Sequence, residues 1–293
     1  MKWKSALDVL DPGRLQPEIN YKSAEGHKYI VNQQLLAKIV GGVAILLPFA
    51  MLSAFVIFGN CFYDSISHFY FTRWFGDIFV IMLAMIGTIL IAYQGETGEE
   101  NRYANFAGVC ALVVAFIPTS GSGCEPENLA NGRVIDARIF ANFDYSAPGN
   151  MLQLKVPTNG DAPFQFMLNA EIFHLGAAAF LFGFLAYYTL VVFTRIIPEE
   201  HIMKSGELTP AKKNRNGIYQ ICGVTIVICI LALAANATIT WLTGSDGSGW
   251  NKYNLTFWFE AIALWAFGIS WTTKGRLVTD AMMDNRDKAL EAA

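Results

Sequence analysis

Five side chains in this sequence have types and neighbours suited to chemistry: Ser67, His68, Asp77, His174 and Glu260. Each lies in or beside a long apolar run, where an ionisable group is costly and is kept for hydrogen bonding or for function. Asp77 follows Ser65, Ser67 and His68. Glu171 and His174 open a later run, and Glu260 falls between Trp258 and Trp265, with Asn236 and Thr240 at a matching depth one run earlier. A serine beside an imidazole offers a nucleophile and a base. Carboxylates near an imidazole offer acid–base work. As metal ligands the available set is His68, His174 and Asp77, because His27 and His201 belong to the opposite side of the membrane in the topology below; no metal and no cofactor is expected. A plainer reading stands beside these, in which Asp77 and Glu260 only tie helices together through Ser, Tyr or Trp donors. Either way both carboxylates are expected to face inward, one of them touching a polar residue of another span, because lipid offers a carboxylate no hydrogen bond. Nucleophile-elbow, phosphate-loop and dinucleotide patterns are absent.

The elements that must position these residues are membrane helices. Hydrophobic residues make up 54% of the 293 and charged residues only 15%, against roughly 25% in an ordinary globular domain. No charge occurs between Ile39 and Phe58, between Leu175 and Thr194, or between Ile218 and Leu242. About 20 apolar residues match the hydrocarbon core of a bilayer. The runs predict spans over 36–60 (with Pro48 inside), 74–94, 103–119, 171–195, 217–243 and 254–273. The second and third are joined by the acidic turn Gly95–Arg102 and should form a hairpin. The fold class is therefore an all-α membrane protein, a bundle of about six transmembrane helices with a long exoplasmic loop. Net charge is −3, and no basic stripe suggests nucleic acid.

Lys and Arg concentrate roughly three to one on the side that holds the N-terminus, with Lys212, Lys213 and Arg215 beside the fifth span. This predicts both termini in the cytoplasm and a cell inner membrane location. Residues 1–35 form a cytoplasmic segment, 36–273 the transmembrane domain, and 274–293 a cytoplasmic tail. Trp74, Trp241, Trp250, Tyr253 and Trp271 suit an aromatic belt at the interfaces. Trp3, Leu7 and Leu10 have the spacing of a short interfacial helix ended by Asp11-Pro12-Gly13. In the exoplasmic loop 120–170, Leu152, Leu154 and Val156 alternate with Gln153 and Lys155, and a small β-hairpin is expected with the stretch 137–145.

Of five cysteines, Cys110, Cys222 and Cys229 fall inside spans. Cys61 and Cys124 both fall on the exoplasmic, oxidising side, and a Cys61–Cys124 disulfide is expected.

Four segments carry a resemblance: Ser65–Thr72 with Gly76-Asp77, Asn105–Ala111 with Phe116–Thr119, Lys213–Gly223, and Phe257–Trp271. They resemble a bacterial family of uncharacterised multi-span membrane proteins, from which no activity follows. The Ser and Asp arrangement also resembles the CREST-type membrane hydrolases, which implies a zinc site. The sequence departs from that pattern at the ligands: Phe71 stands where the first histidine would follow Ser67, and Ala178 where a second would follow His174. Three functions remain open: an accessory or scaffold subunit packing against other membrane proteins in the lipid bilayer, an outer-leaflet lipid-modifying hydrolase using the polar cluster, and a small transporter. Paired Gly/Pro-broken spans, the mark of many transporters, are not visible.

Overall fold

The computed structural model describes residues 32–95, 97–119, 142–144, 153–155, 170–196, 208–244 and 248–276. The expected interfacial helix near Trp3 lies outside these residues. Six long helices account for nearly all of the rest: α1 (Gln33–Val56), α2 (Trp74–Ala92), α3 (Gly98–Phe116), α4 (Ala170–Tyr187, continued by a π-helical turn Tyr188–Val192), α5 (Pro210–Thr243) and α6 (Leu255–Lys274). A 3-10 helix, Ile66–Phe71, sits between α1 and α2, and a single turn Ser248–Asn251 precedes α6. Five of the long helices, all but α3, are long and apolar enough to cross a membrane. α3 carries Glu99, Glu100 and Arg102 near its start and packs between α2 and α4.

The hairpin in the long loop pairs β1 (Asn142–Asp144) with β2 (Gln153–Lys155), antiparallel, with Phe143 opposite Leu154.

Two helix starts lie earlier than the apolar runs suggest. Thr97 caps α3, its side chain accepting from the Glu100 N–H, and Thr209 caps α5, accepting from the Lys212 N–H with Pro210 in the first turn. Both are ordinary N-terminal signals hidden by the charges that follow them. α5 thereby reaches 34 residues, or about 51 Å at the usual rise, longer than a roughly 30 Å hydrocarbon core.

Two glycine pairs set the closest helix crossings. A Cβ on Gly41 would stand 2.7 Å from the Gly268 carbonyl oxygen, and one on Gly268 2.7 Å from the Gly41 carbonyl, so α1 and α6 touch backbone to backbone. Gly87 and Gly108 do the same for α2 and α3, at 2.8 and 2.5 Å. Such close approach supplies dispersion contact where lipid removes the hydrophobic drive between helices. α1 runs through Pro48. Beside the gap that a proline leaves in the helical ladder, the Ile45 carbonyl accepts from Trp265 Nε1 of α6 at 3.2 Å.

One aromatic departs from the belt reading. Trp271 is fully buried, packed against Tyr93, Tyr188, Phe193 and Phe267. It lies on the inward face of α6 with Phe257, Ala261, Leu264 and Phe267, which a tryptophan near a helix end does not reveal by type alone. Trp74 and Trp241 are exposed, as interfacial anchors are.

Candidate functional site at the Glu260 end

The start of α6 and the segment Asp64–Phe71 hold each other. Early helical N–H groups need outside acceptors, and the Asp64 carbonyl takes the Phe257 N–H at 2.6 Å. In return Glu260, one turn on, caps the 3-10 helix. Its carboxylate accepts from Ser65 Oγ at 2.9 and 3.0 Å and from the Ile66 N–H at 2.7 Å. Glu260 is half-buried and faces this segment rather than open surroundings. Its polar partners belong to the connection between α1 and α2, not to another span.

A 3-10 helix turns about 120° per residue, so consecutive side chains leave in different directions. Ser65 goes to Glu260. His68 turns back to Asp64, with Nδ1 2.5 Å from Oδ1, both side chains 13% exposed. Ser67 goes elsewhere, to His174 of α4: Oγ lies 3.1 Å from Nε2. Adjacent in sequence, Ser67 and His68 therefore do not pair with each other.

The His174 ring is fixed from its far side. Nδ1 lies 2.6 Å from the Ile117 carbonyl at the end of α3. A carbonyl can only accept, so Nδ1 carries the hydrogen, and Nε2 is left to accept from the Ser67 hydroxyl. His174 is buried while Ser67 is half-buried. A hydroxyl on a base whose tautomer is set by a third group is the arrangement that activates a serine nucleophile.

Asp77 does not join this group. It is exposed in the first turn of α2, where its charge suits the helix dipole. Phe75, Gly76, Phe79, Leu83 and Ile86 form the inward stripe of that helix, and Asp77 falls off it. The expectation that Asp77 faces inward is corrected on that ground. In α5, Thr240 bonds back to the Asn236 carbonyl at 2.7 Å within its own helix. The Glu171 side chain lies outside the described residues. Among the described residues no three His, Cys, Asp or Glu side chains are grouped closely enough to hold a metal ion. Phe71, at the position the CREST resemblance reserves for a ligand, is fully buried in the core.

Asp64 and the Ile117 carbonyl are members that the sequence reading did not include. The i, i+4 spacing of Asp64 and His68 was available as a signal. The Ile117 carbonyl had none.

Cys110, Cys222 and Cys229 are free and buried. Cys61 is fully buried, and Cys124 lies outside the described residues.

No protein-family model matches this chain, and neither a curated protein nor a solved structure matches it. The fold and the site define a multi-pass helical membrane protein with a polar cluster at one end of its bundle.

Proposed function

We propose that this protein is an outer-leaflet hydrolase that cleaves an ester or amide bond of a membrane lipid, with Ser67 as nucleophile and His174 as general base. The observation that carries the reading is the Ser67–His174–Ile117 chain of hydrogen bonds, with the imidazole tautomer set for proton abstraction. In the first step Ser67 Oγ attacks the carbonyl carbon and His174 Nε2 takes its proton. The imidazolium returns that proton to the departing alcohol or amine, leaving an acyl-serine. Water, deprotonated by the same nitrogen, then releases the acid and restores the serine. His68, the next residue on the same short helix, is held apart from this pair by Asp64.

This reading places the Glu260 end outside and both termini in the cytoplasm of a bacterial inner membrane, supported by the Lys and Arg asymmetry. A Cys61–Cys124 bridge belongs to the same proposal. It is supported by the oxidising side on which both fall and by the absence of Cys61 from the free thiols among the described residues. The resemblance to uncharacterised multi-span proteins is kept as a proposal of kinship. The test is to reconstitute the protein with acyl-labelled bacterial phospholipids. Release of labelled fatty acid by the wild type and not by Ser67→Ala supports the reading; equal release by both rejects it.

A second reading, an accessory subunit that packs against other membrane proteins, is favoured by one surface. Tyr103 and Phe106 of α3 face Phe180, Phe184 and Tyr187 of α4 across an apolar groove of about 460 Å³. Rings with edge-to-face contacts there, Phe106 on Phe180 and Tyr103 on Tyr187, make a surface suited to a partner helix. Recovery of a stoichiometric partner in mild detergent, lost on Phe106→Ala and Phe180→Ala, tests it.

A further inference from the structure

The contact that fixes His174 belongs to a seam that continues along the bundle. α3 and α4 are antiparallel neighbours. Ile117, just past the end of α3, meets His174 near the start of α4. Phe106 stands against Phe180, and Tyr103 near the start of α3 stands against Tyr187 at the end of α4. Numbers that rise on one helix as they fall on the other put the three pairs on one line. The two aromatic pairs line the apolar groove of about 460 Å³, together with Ala179, Gly183 and Phe184.

The groove lies at a telling depth below the Ser67–His174 pair. Along α4 it runs from about 8 Å (Ala179) to about 20 Å (Tyr187) beyond His174, at the usual helical rise. The acyl chains of one leaflet reach about 15 Å, half of a roughly 30 Å hydrocarbon core. A lipid whose ester carbonyl lies at Ser67 therefore has the far half of its chain at the level of the groove.

A second observation concerns Gly183. Glycine inside a helix is a cost. At Gly41, Gly268, Gly87 and Gly108 facing backbones offset it by touching, but a Cβ on Gly183 would meet nothing within 4 Å among the described residues, nor would one on Gly176. Gly176, Ala179 and Gly183 are exposed and follow one another at helical spacing on one side of α4. The missing side chains leave a shallow track open from the level of His174 into the groove.

The lining also selects among occupants. It holds no ionisable side chain besides the two tyrosines, so it does not suit a headgroup or an ion. The rings meet across the seam with centroids 5.6 and 5.8 Å apart, so a helix, roughly 10–12 Å wide, rests on top of them. A slender hydrocarbon chain can enter the space they enclose.

We propose that this groove is an acyl-chain subsite: the substrate's carbonyl lies at Ser67 and the far half of its acyl chain in the groove between α3 and α4. The place of the carbonyl rests on the hydrolase reading; the occupant of the groove does not. The substrate class is then long-chain acyl lipids rather than short, water-soluble esters.

The experiment uses full-length protein in phosphatidylcholine nanodiscs that contain a small share of phosphatidylcholine with a diazirine near the end of one acyl chain. After irradiation, peptide mapping should find the label concentrated on 103–106 and 179–187 over Ile228 and Leu231 of α5, which are about as exposed as Phe106 and Phe180. Gly183→Leu fills the groove from a position with free space and should cut that label roughly tenfold, the effect of excluding a few buried methylenes. It should lower kcat/KM for p-nitrophenyl palmitate relative to p-nitrophenyl butyrate by a similar factor. Label in the groove with neither ester cleaved supports the subsite and rejects the hydrolase reading. Label no denser in the groove than on α5 overturns the subsite, while butyrate cleavage lost in Ser67→Ala still upholds the hydrolase. An unchanged label in folded Gly183→Leu overturns the subsite too, as does a groove covered by a stoichiometric partner that Phe106→Ala with Phe180→Ala releases. Wild-type labelling decides the matter if Gly183→Leu unfolds.

Discussion

Ser67 and His174 lie 107 residues apart in the chain and meet with Oγ 3.1 Å from Nε2, the imidazole held on its other side by the Ile117 carbonyl. One hydroxyl, one ring and one carbonyl thus link the 3-10 helix to α4 and to the end of α3. The account makes this contact chemical and the neighbouring Glu260 contact structural, and the two separate by mutation.

Glu260→Gln should keep the fold and any activity, because the amide oxygen still accepts from Ile66 or Ser65. Glu260→Leu removes every acceptor from those two donors and should cost roughly 1–3 kcal/mol of stability. Thermal unfolding in detergent measures both. Equal loss in the two variants would show that charge, not hydrogen bonding, is what the site needs.

The glycine crossings predict position-specific intolerance. Gly41→Val and Gly268→Val should each destabilise strongly, since the added atoms meet facing backbone, while Gly42→Val, with nothing within 4 Å of an added Cβ, should be mild. Comparison of the three unfolding midpoints decides it, and a mild Gly41→Val would refute the close approach.

Topology is tested by labelling in intact cells. A cysteine introduced at Ser205 should resist an impermeant thiol reagent, since the proposed topology puts 196–216 in the cytoplasm. Ready modification there would invert the assignment and with it the exoplasmic placement of Ser67.

The Cys61–Cys124 bridge predicts one linked peptide pair in a non-reducing digest. Full alkylation of both thiols without reduction would rule it out.

The helices were legible because apolar runs such as 39–58 and 218–242 leave few alternatives. Their starts were less so: charge at Glu99, Glu100, Lys212 and Lys213 reads as loop, while the caps Thr97 and Thr209 extend both helices through it. The inward stripe of Phe75, Phe79 and Leu83 already places Asp77 outside, a pattern present in the sequence. Glu260 was found by its cost in an apolar run. Its exchange with Ser65 and Ile66 was not, because contacts 194 and 195 residues apart leave no local periodicity. The cluster from Arg195 to Arg215 spoke only of orientation until helix packing brought it to Lys274 and Arg276.

The most direct measurement of the central claim is covalent labelling of the native, membrane-reconstituted protein with a fluorophosphonate. Ser67 Oγ should displace fluoride from phosphorus while His174 takes the hydroxyl proton. Mass spectrometry should then find the phosphonyl group on Ser67, lost in Ser67→Ala and slowed on the order of a hundredfold or more in His174→Ala, while Glu260→Gln labels at the wild-type rate. No labelling of Ser67 in the folded protein, or labelling at the same rate without His174, would contradict the account.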